Sequence, residues 1–140
     1  MANVVYNSTK GKLMDGTIDL DSDTINIALY TSSYTPDIDA DIFFDDLSNE
    51  VTGTGYTAGG EELGSKTVTV DTTNNRAEFD AADTTWSSAT ITARGAVVYQ
   101  DTGTPGTSAL ICYIDFSTDK TSTSGDFKIA YNAEGILQLA

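Results

Sequence analysis

Four short stretches decide the fold: Thr67-Val68-Thr69-Val70, Arg76-Ala77-Glu78-Phe79, Ile91-Thr92-Ala93 and Phe127-Lys128-Ile129-Ala130-Tyr131. In each, apolar residues recur at every second position. That is the period of a strand with one face buried and one wet. The first two runs flank Thr72-Thr73-Asn74-Asn75, where asparagine tolerates a positive φ. They predict a hairpin of Lys66–Asp71 with Arg76–Asp80. Further on, Thr90–Gln100 and Ala109–Phe116 read as a second hairpin. Its loop, Asp101-Thr102-Gly103-Thr104-Pro105-Gly106-Thr107, is built of turn residues. Phe127–Tyr131 and Gly135–Leu139 predict a third.

Upstream, Ile25-Asn26-Ile27-Ala28-Leu29-Tyr30 is another strand, entered through the polar turn Asp21-Ser22-Asp23-Thr24. Its Ile25, Ile27 and Leu29 share a face. The only expected helix lies near Ser8–Asp15, capped by Asn7 or Ser8 and stopped by Gly16. Residues 32–65 are irregular. Pro36 marks a turn, Ile42–Leu47 suits one helical turn, and residues 53–60 are too glycine-rich for a regular strand. A loop of that length in a compact domain is usually functional or mobile. The expected core is Ile25, Ile27, Leu29, Val70, Phe79, Val97, Cys112, Ile114 and Ile129. Leu110–Ile114 is apolar on both faces, so that strand is central, or covered by the helix or by another chain. The architecture is all-β: an antiparallel β-sandwich, or a barrel-like sandwich, with one short N-terminal helix. A single domain spans 1–140, long enough to bury roughly two thirds of its unfolded surface.

Charge excludes several function classes. Seven Lys and Arg stand against 21 Asp and Glu, a formal charge of −14, with no histidine. Nucleic acid and anionic membranes both need cationic groups, so neither is an expected partner. No apolar run approaches the ~20 residues of a membrane span, and the start shows no signal-like core. The chain is expected to be made in the cytoplasm. Cys112 is the only cysteine. It sits in an apolar run with no neighbouring base, so it reads as a buried core residue rather than a nucleophile.

The acids invite a metal reading. Asp19, Asp21 and Asp23, and again Asp37, Asp39 and Asp41, show D-x-D-x-D spacing. A calcium-binding EF-hand also needs glycine at its sixth position and glutamate at its twelfth. Those positions hold Thr24 and Tyr30 in the first run, and Ile42 and Ser48 in the second. Both runs read as solvated loops, and no cofactor or metal is expected. Catalysis is equally unsupported. Serine and threonine nucleophiles lack a histidine partner, and aspartates this numerous pair by chance. Gly53-Thr54-Gly55 and Gly59-Gly60 lack the Lys-Ser/Thr of a phosphate loop. Trp86, Tyr34 and Tyr56 would be the platforms of a carbohydrate-binding module. The competing reading of Trp86 is a core cap whose N–H reaches a carbonyl. Phe43, Phe44, Leu47 and Tyr56, set among acids and glycines, are the candidate interface residues. They either plug the domain's own core or meet another chain.

The order of segments carries a family likeness. Leu13-Met14-Asp15-Gly16-Thr17-Ile18-Asp19-Leu20 precedes Ile25–Tyr30 and Thr31-Ser32-Ser33-Tyr34-Thr35-Pro36. Gly55-Tyr56-Thr57-Ala58-Gly59-Gly60 and Thr85-Trp86-Ser87-Ser88-Ala89-Thr90-Ile91-Thr92-Ala93-Arg94 are its most specific parts. Ile114-Asp115-Phe116, Phe127-Lys128-Ile129 and Asn132-Ala133-Glu134-Gly135-Ile136-Leu137 complete it. This layout resembles a group of small structural proteins of tailed bacteriophages, over nearly the whole chain. The resemblance implies a virion component with no catalytic residue. The first expectation is a capsid decoration or cement protein on the particle exterior. It would be a homo-oligomer whose partners are the major capsid protein or other virion proteins. A neck, tail or fibre component is the alternative within the virion. A carbohydrate-binding module on the virion surface is the alternative from another class.

Overall fold

A computed structural model describes all 140 residues. The chain forms β1 (Val4–Val5), α1 (Asn7–Met14), β2 (Ile25–Tyr30), β3 (Glu61–Glu62), β4 (Thr67–Asp71), β5 (Arg76–Asp80), β6 (Thr84–Gln100), β7 (Leu110–Ile129) and β8 (Leu137–Leu139). Single 3-10 turns occur at Phe44–Asp46 and Pro105–Thr107. Two antiparallel sheets result, ordered β1-β7-β6-β2-β3 and β4-β5-β8. This is an all-β sandwich with a short N-terminal helix.

Alternation on β2 and β6 divides the core. Ile25, Ile27 and Leu29 face the small sheet with Ala96 and Val98, and meet Phe79, Ile136 and Leu137 there. Ala28 and Tyr30 face the other way with Val97 and Tyr99. That second face is covered from within the chain, by Tyr6, Tyr34, Phe44 and Leu47. The central strands are therefore buried on both faces, which is why Leu110–Ile114 reads as a continuous apolar run.

Several boundaries differ from expectation. The helix starts at Asn7, with an extended Tyr6 as N-cap and no side-chain cap. Asn7 instead bonds Asp39 and accepts from Lys10. What holds this short, glycine-containing helix is tertiary: the buried Thr9 hydroxyl donates to the carbonyls of Leu110 (2.6 Å) and Ile111 (3.2 Å). The β6–β7 hairpin runs much further than the apolar runs suggest, pairing Thr84 with Ile129 and Trp86 with Phe127. The polar, threonine-rich residues 117–125 of β7 pair because β6 lies beside them. Irregularities between Trp86 and Ala89, and between Ala93 and Gly95, re-aim the side chains along β6.

The third expected hairpin does not form. Phe127–Ile129 ends β7, and Leu137–Leu139 pairs with Ala77–Phe79 of β5. Gly135, at φ +85°, turns the chain so that Ile136 N–H donates to the Phe79 carbonyl at 2.7 Å. Val70, expected in the core, is 77% exposed. It sits on the outermost strand of the small sheet, in the row Val70–Ala77–Leu139 that overhangs the core. One row further in, Phe79 and Leu137 reach it, while Val68 beside them is still exposed. The other eight expected core residues are buried.

Candidate functional site

The irregular segment from 32 to 65 wraps two faces of the sandwich. Asp37 starts it by accepting the amides of Asp39 and Ala40, each at 3.0 Å. Asp41 accepts the Asp37 amide at 2.9 Å and the Tyr34 hydroxyl at 2.8 Å. Tyr6 OH, 2.8 Å from Tyr34 OH, extends this chain into the core. These carboxylates close their own loop. The same holds at the other acidic run, where Asp23 accepts the Asp19 amide at 2.8 Å and the Gln100 amide group at 2.6 Å. No three His, Cys, Asp or Glu side chains converge in a metal-holding group.

The four candidate interface residues lie on this segment and are all half-buried. Phe44 stacks on Tyr99 with centroids 4.3 Å apart, and Leu47 packs beside it. Phe43 pairs through its backbone with Ala109, and the Lys12 ammonium lies 4.2 Å above its ring. That ammonium has no hydrogen-bond partner, and the ring face and the nearby Asp15 charge offset its desolvation. Tyr56 lies apart from these three. Its ring sits 5.9 Å from Trp86, and its hydroxyl accepts from Leu29 N–H at 2.9 Å and donates to Glu50 at 2.7 Å. Glu50 also accepts the Gly59 amide at 2.7 Å, and Tyr99 OH donates to the Gly59 carbonyl at 2.7 Å. The glycine-rich loop is thus clamped onto β2. Burial pushes the Tyr56 phenol well above its ordinary range.

The remaining aromatics are occupied internally. Trp86 is 2% exposed and Tyr34 is 7% exposed, so neither ring face is open to a sugar. Trp86 lies within β6, and its indole N–H has no partner, contrary to the expected carbonyl contact. Cys112 is fully buried, and burial pushes its thiol up to about 12. It is a protonated core residue at neutral pH.

One surface feature lies outside the candidate residues. Met14, Val70 and Leu139 are 89%, 77% and 72% exposed. Between α1 and β8 runs a groove of about 440 Å³, lined by Val5, Leu13, Met14, Leu137 and Leu139. Alternation in the sequence predicts Val70 in the core and Leu139 in a third hairpin, but both side chains are exposed and Leu139 pairs with β5. The β4 run, TVTVD, carries a single charge.

Compared with known proteins, the chain matches no family model, no curated protein sequence and no solved structure.

Proposed function

We propose that this chain is a structural protein of a tailed-phage virion, a decoration or cement protein on the outside of the capsid. The observation that carries this reading is the charge of −14 on a small all-β domain. Packaged DNA would repel such a surface, so the shell exterior suits it and the lumen does not. The order of segments around Gly55–Gly60 and Thr85–Arg94 supports a place among small phage structural proteins. In this role the chain works by burying apolar and backbone groups across junctions of the major capsid protein, as a symmetric oligomer and without catalysis. Residues 32–65 contribute through the outward edges of Phe43, Phe44, Leu47 and Tyr56.

The test is a reconstructed image of the particle with this chain located. Hundreds of copies on the outer shell are the expected result. About a dozen or fewer, arranged as a ring, would make it a neck, tail or fibre component. A position inside the shell, or absence from the particle, would overturn the proposal.

A further inference from the structure

The two sheets treat their edges differently. The large sheet ends in β1 and β3, each two residues long, and β3 is Glu61-Glu62. Both edges are very short, and β3 is charged as well, which resists pairing with another chain. The small sheet ends in β8, three residues, and β4, five residues. β4 has no proline or lysine, and its ladder to β5 runs unbroken from Thr67↔Asp80 to Asp71↔Arg76. Its first four side chains are exposed. Beyond that ladder, no main-chain hydrogen bond reaches residues 67–71 from elsewhere in the chain. This edge is open.

We infer that a second copy of this chain pairs with β4, antiparallel, about a two-fold axis through Thr69. Such an axis keeps each face of the strand on the same side, so residues of like parity must meet. Thr69 then faces Thr69 of the second copy. Val68 faces Val70 of the second copy, and Thr67 faces its Asp71. Charge favours this contact over others on the molecule. With three acids for every base, most surfaces of two copies would bring carboxylate to carboxylate. Here valine meets valine, and each Asp71 carboxylate, already held by the amides of Thr73 and Asn74 and lying beside Arg76, meets a threonine rather than another acid. The apolar rows also join. Leu139–Ala77–Val70 continues into Val68, Phe79 and Leu137 of the second copy, across one six-stranded sheet. The exposure of Val70 falls in consequence. This inference stands on the sheet edge and does not depend on the virion reading.

The contact is small, so the dimer should populate at about 0.1–1 mM chain, or where copies are held close together. Sedimentation velocity on the purified chain across about 10 µM to 1 mM tests it. The expected result is a shift from monomer to dimer mass. Thr69→Lys places two ammonium groups face to face and should hold the chain as a monomer. Thr69→Glu should do the same, and an equimolar mixture of the two should dimerise again. Far-UV circular dichroism checks that each variant is folded. Amide exchange at Thr67–Asp71 of the unmodified chain, slowing as concentration rises, is a second readout that needs no variant. A wild-type chain that stays monomeric with unchanged exchange overturns the inference. So does a Thr69→Lys variant that dimerises like wild type. Neither failure bears on the proposed virion role, which the particle image tests separately.

Discussion

Trp86 is among the largest fully buried side chains, wedged between Tyr56 at 5.9 Å and Phe127 at 6.1 Å. Its indole N–H finds no acceptor, so its contribution is packing alone. Trp86→Ala should therefore cost about 3–5 kcal/mol in chemical denaturation. Trp86→Phe should cost clearly less, because it removes an unsatisfied donor along with the lost volume. If the two variants are equally destabilised, the N–H has a partner that the packing does not show. Phe43 and Phe44 pose a different question at this scale, since Lys12 already lies over the Phe43 ring and Tyr99 already stacks on Phe44. Phe43→Ala with Phe44→Ala should lower stability by about 1–3 kcal/mol while the isolated domain keeps its β spectrum. Under the proposed virion role, incorporation into particles should fall. A double variant that unfolds alone would make both rings core residues, and one that assembles normally would place the interface elsewhere.

At the scale of elements, the glycine-rich loop is held by close approach. A Cβ on Gly60 would lie 1.8 Å from the Ile27 carbonyl oxygen, and its φ is +76°. Backbone cannot give way there without parting the loop from β2. Gly60→Ala should cost more than about 2 kcal/mol, whereas Gly64→Ala, with nothing within 4 Å, should stay within about 0.5 kcal/mol of wild type. Thermal unfolding of the two variants side by side checks this, and equal midpoints would refute it. Element existence was legible wherever apolar alternation was strong. β2 has the bounds its sequence announces, and β4 and β5 follow theirs to within a residue. The polar half of β7 was not legible, because residues 117–125 acquire strand conformation from the neighbouring β6 rather than from their own pattern.

At the scale of the whole molecule, the tyrosines govern behaviour at high pH. Burial pushes Tyr99 and Tyr131 from the ordinary value of 10.0 up to about 12. Tyr6, Tyr30, Tyr34 and Tyr56 are raised further by the same cause. The folded chain therefore keeps phenolic protons that the unfolded chain releases near pH 10. Above that pH the unfolded state binds fewer protons, so stability falls as pH rises. The contribution is fully present below pH 10 and is lost through about 12 and beyond. Tyrosinate absorbance should appear together with loss of near-UV circular dichroism, in one transition above about pH 10. Phenolates appearing in a chain that stays folded would show that burial does not protect them.

Period-2 alternation, turn chemistry and charge are local properties, and the sequence alone determined what depends on them: an all-β chain, one short helix, the β4–β5 hairpin and an acidic surface. Partnership over long separations is not local. Whether Leu137–Leu139 joins β7 or β5 turned on Gly135 and the bond from Ile136 to Phe79, 57 residues away in sequence. Whether Phe44 covers a face of the large sheet turned on its stack with Tyr99. Val70 shows the limit most plainly. Its alternation with Val68 specifies a face of a strand, but only the stacking of one sheet on another decides how far along that strand the core extends.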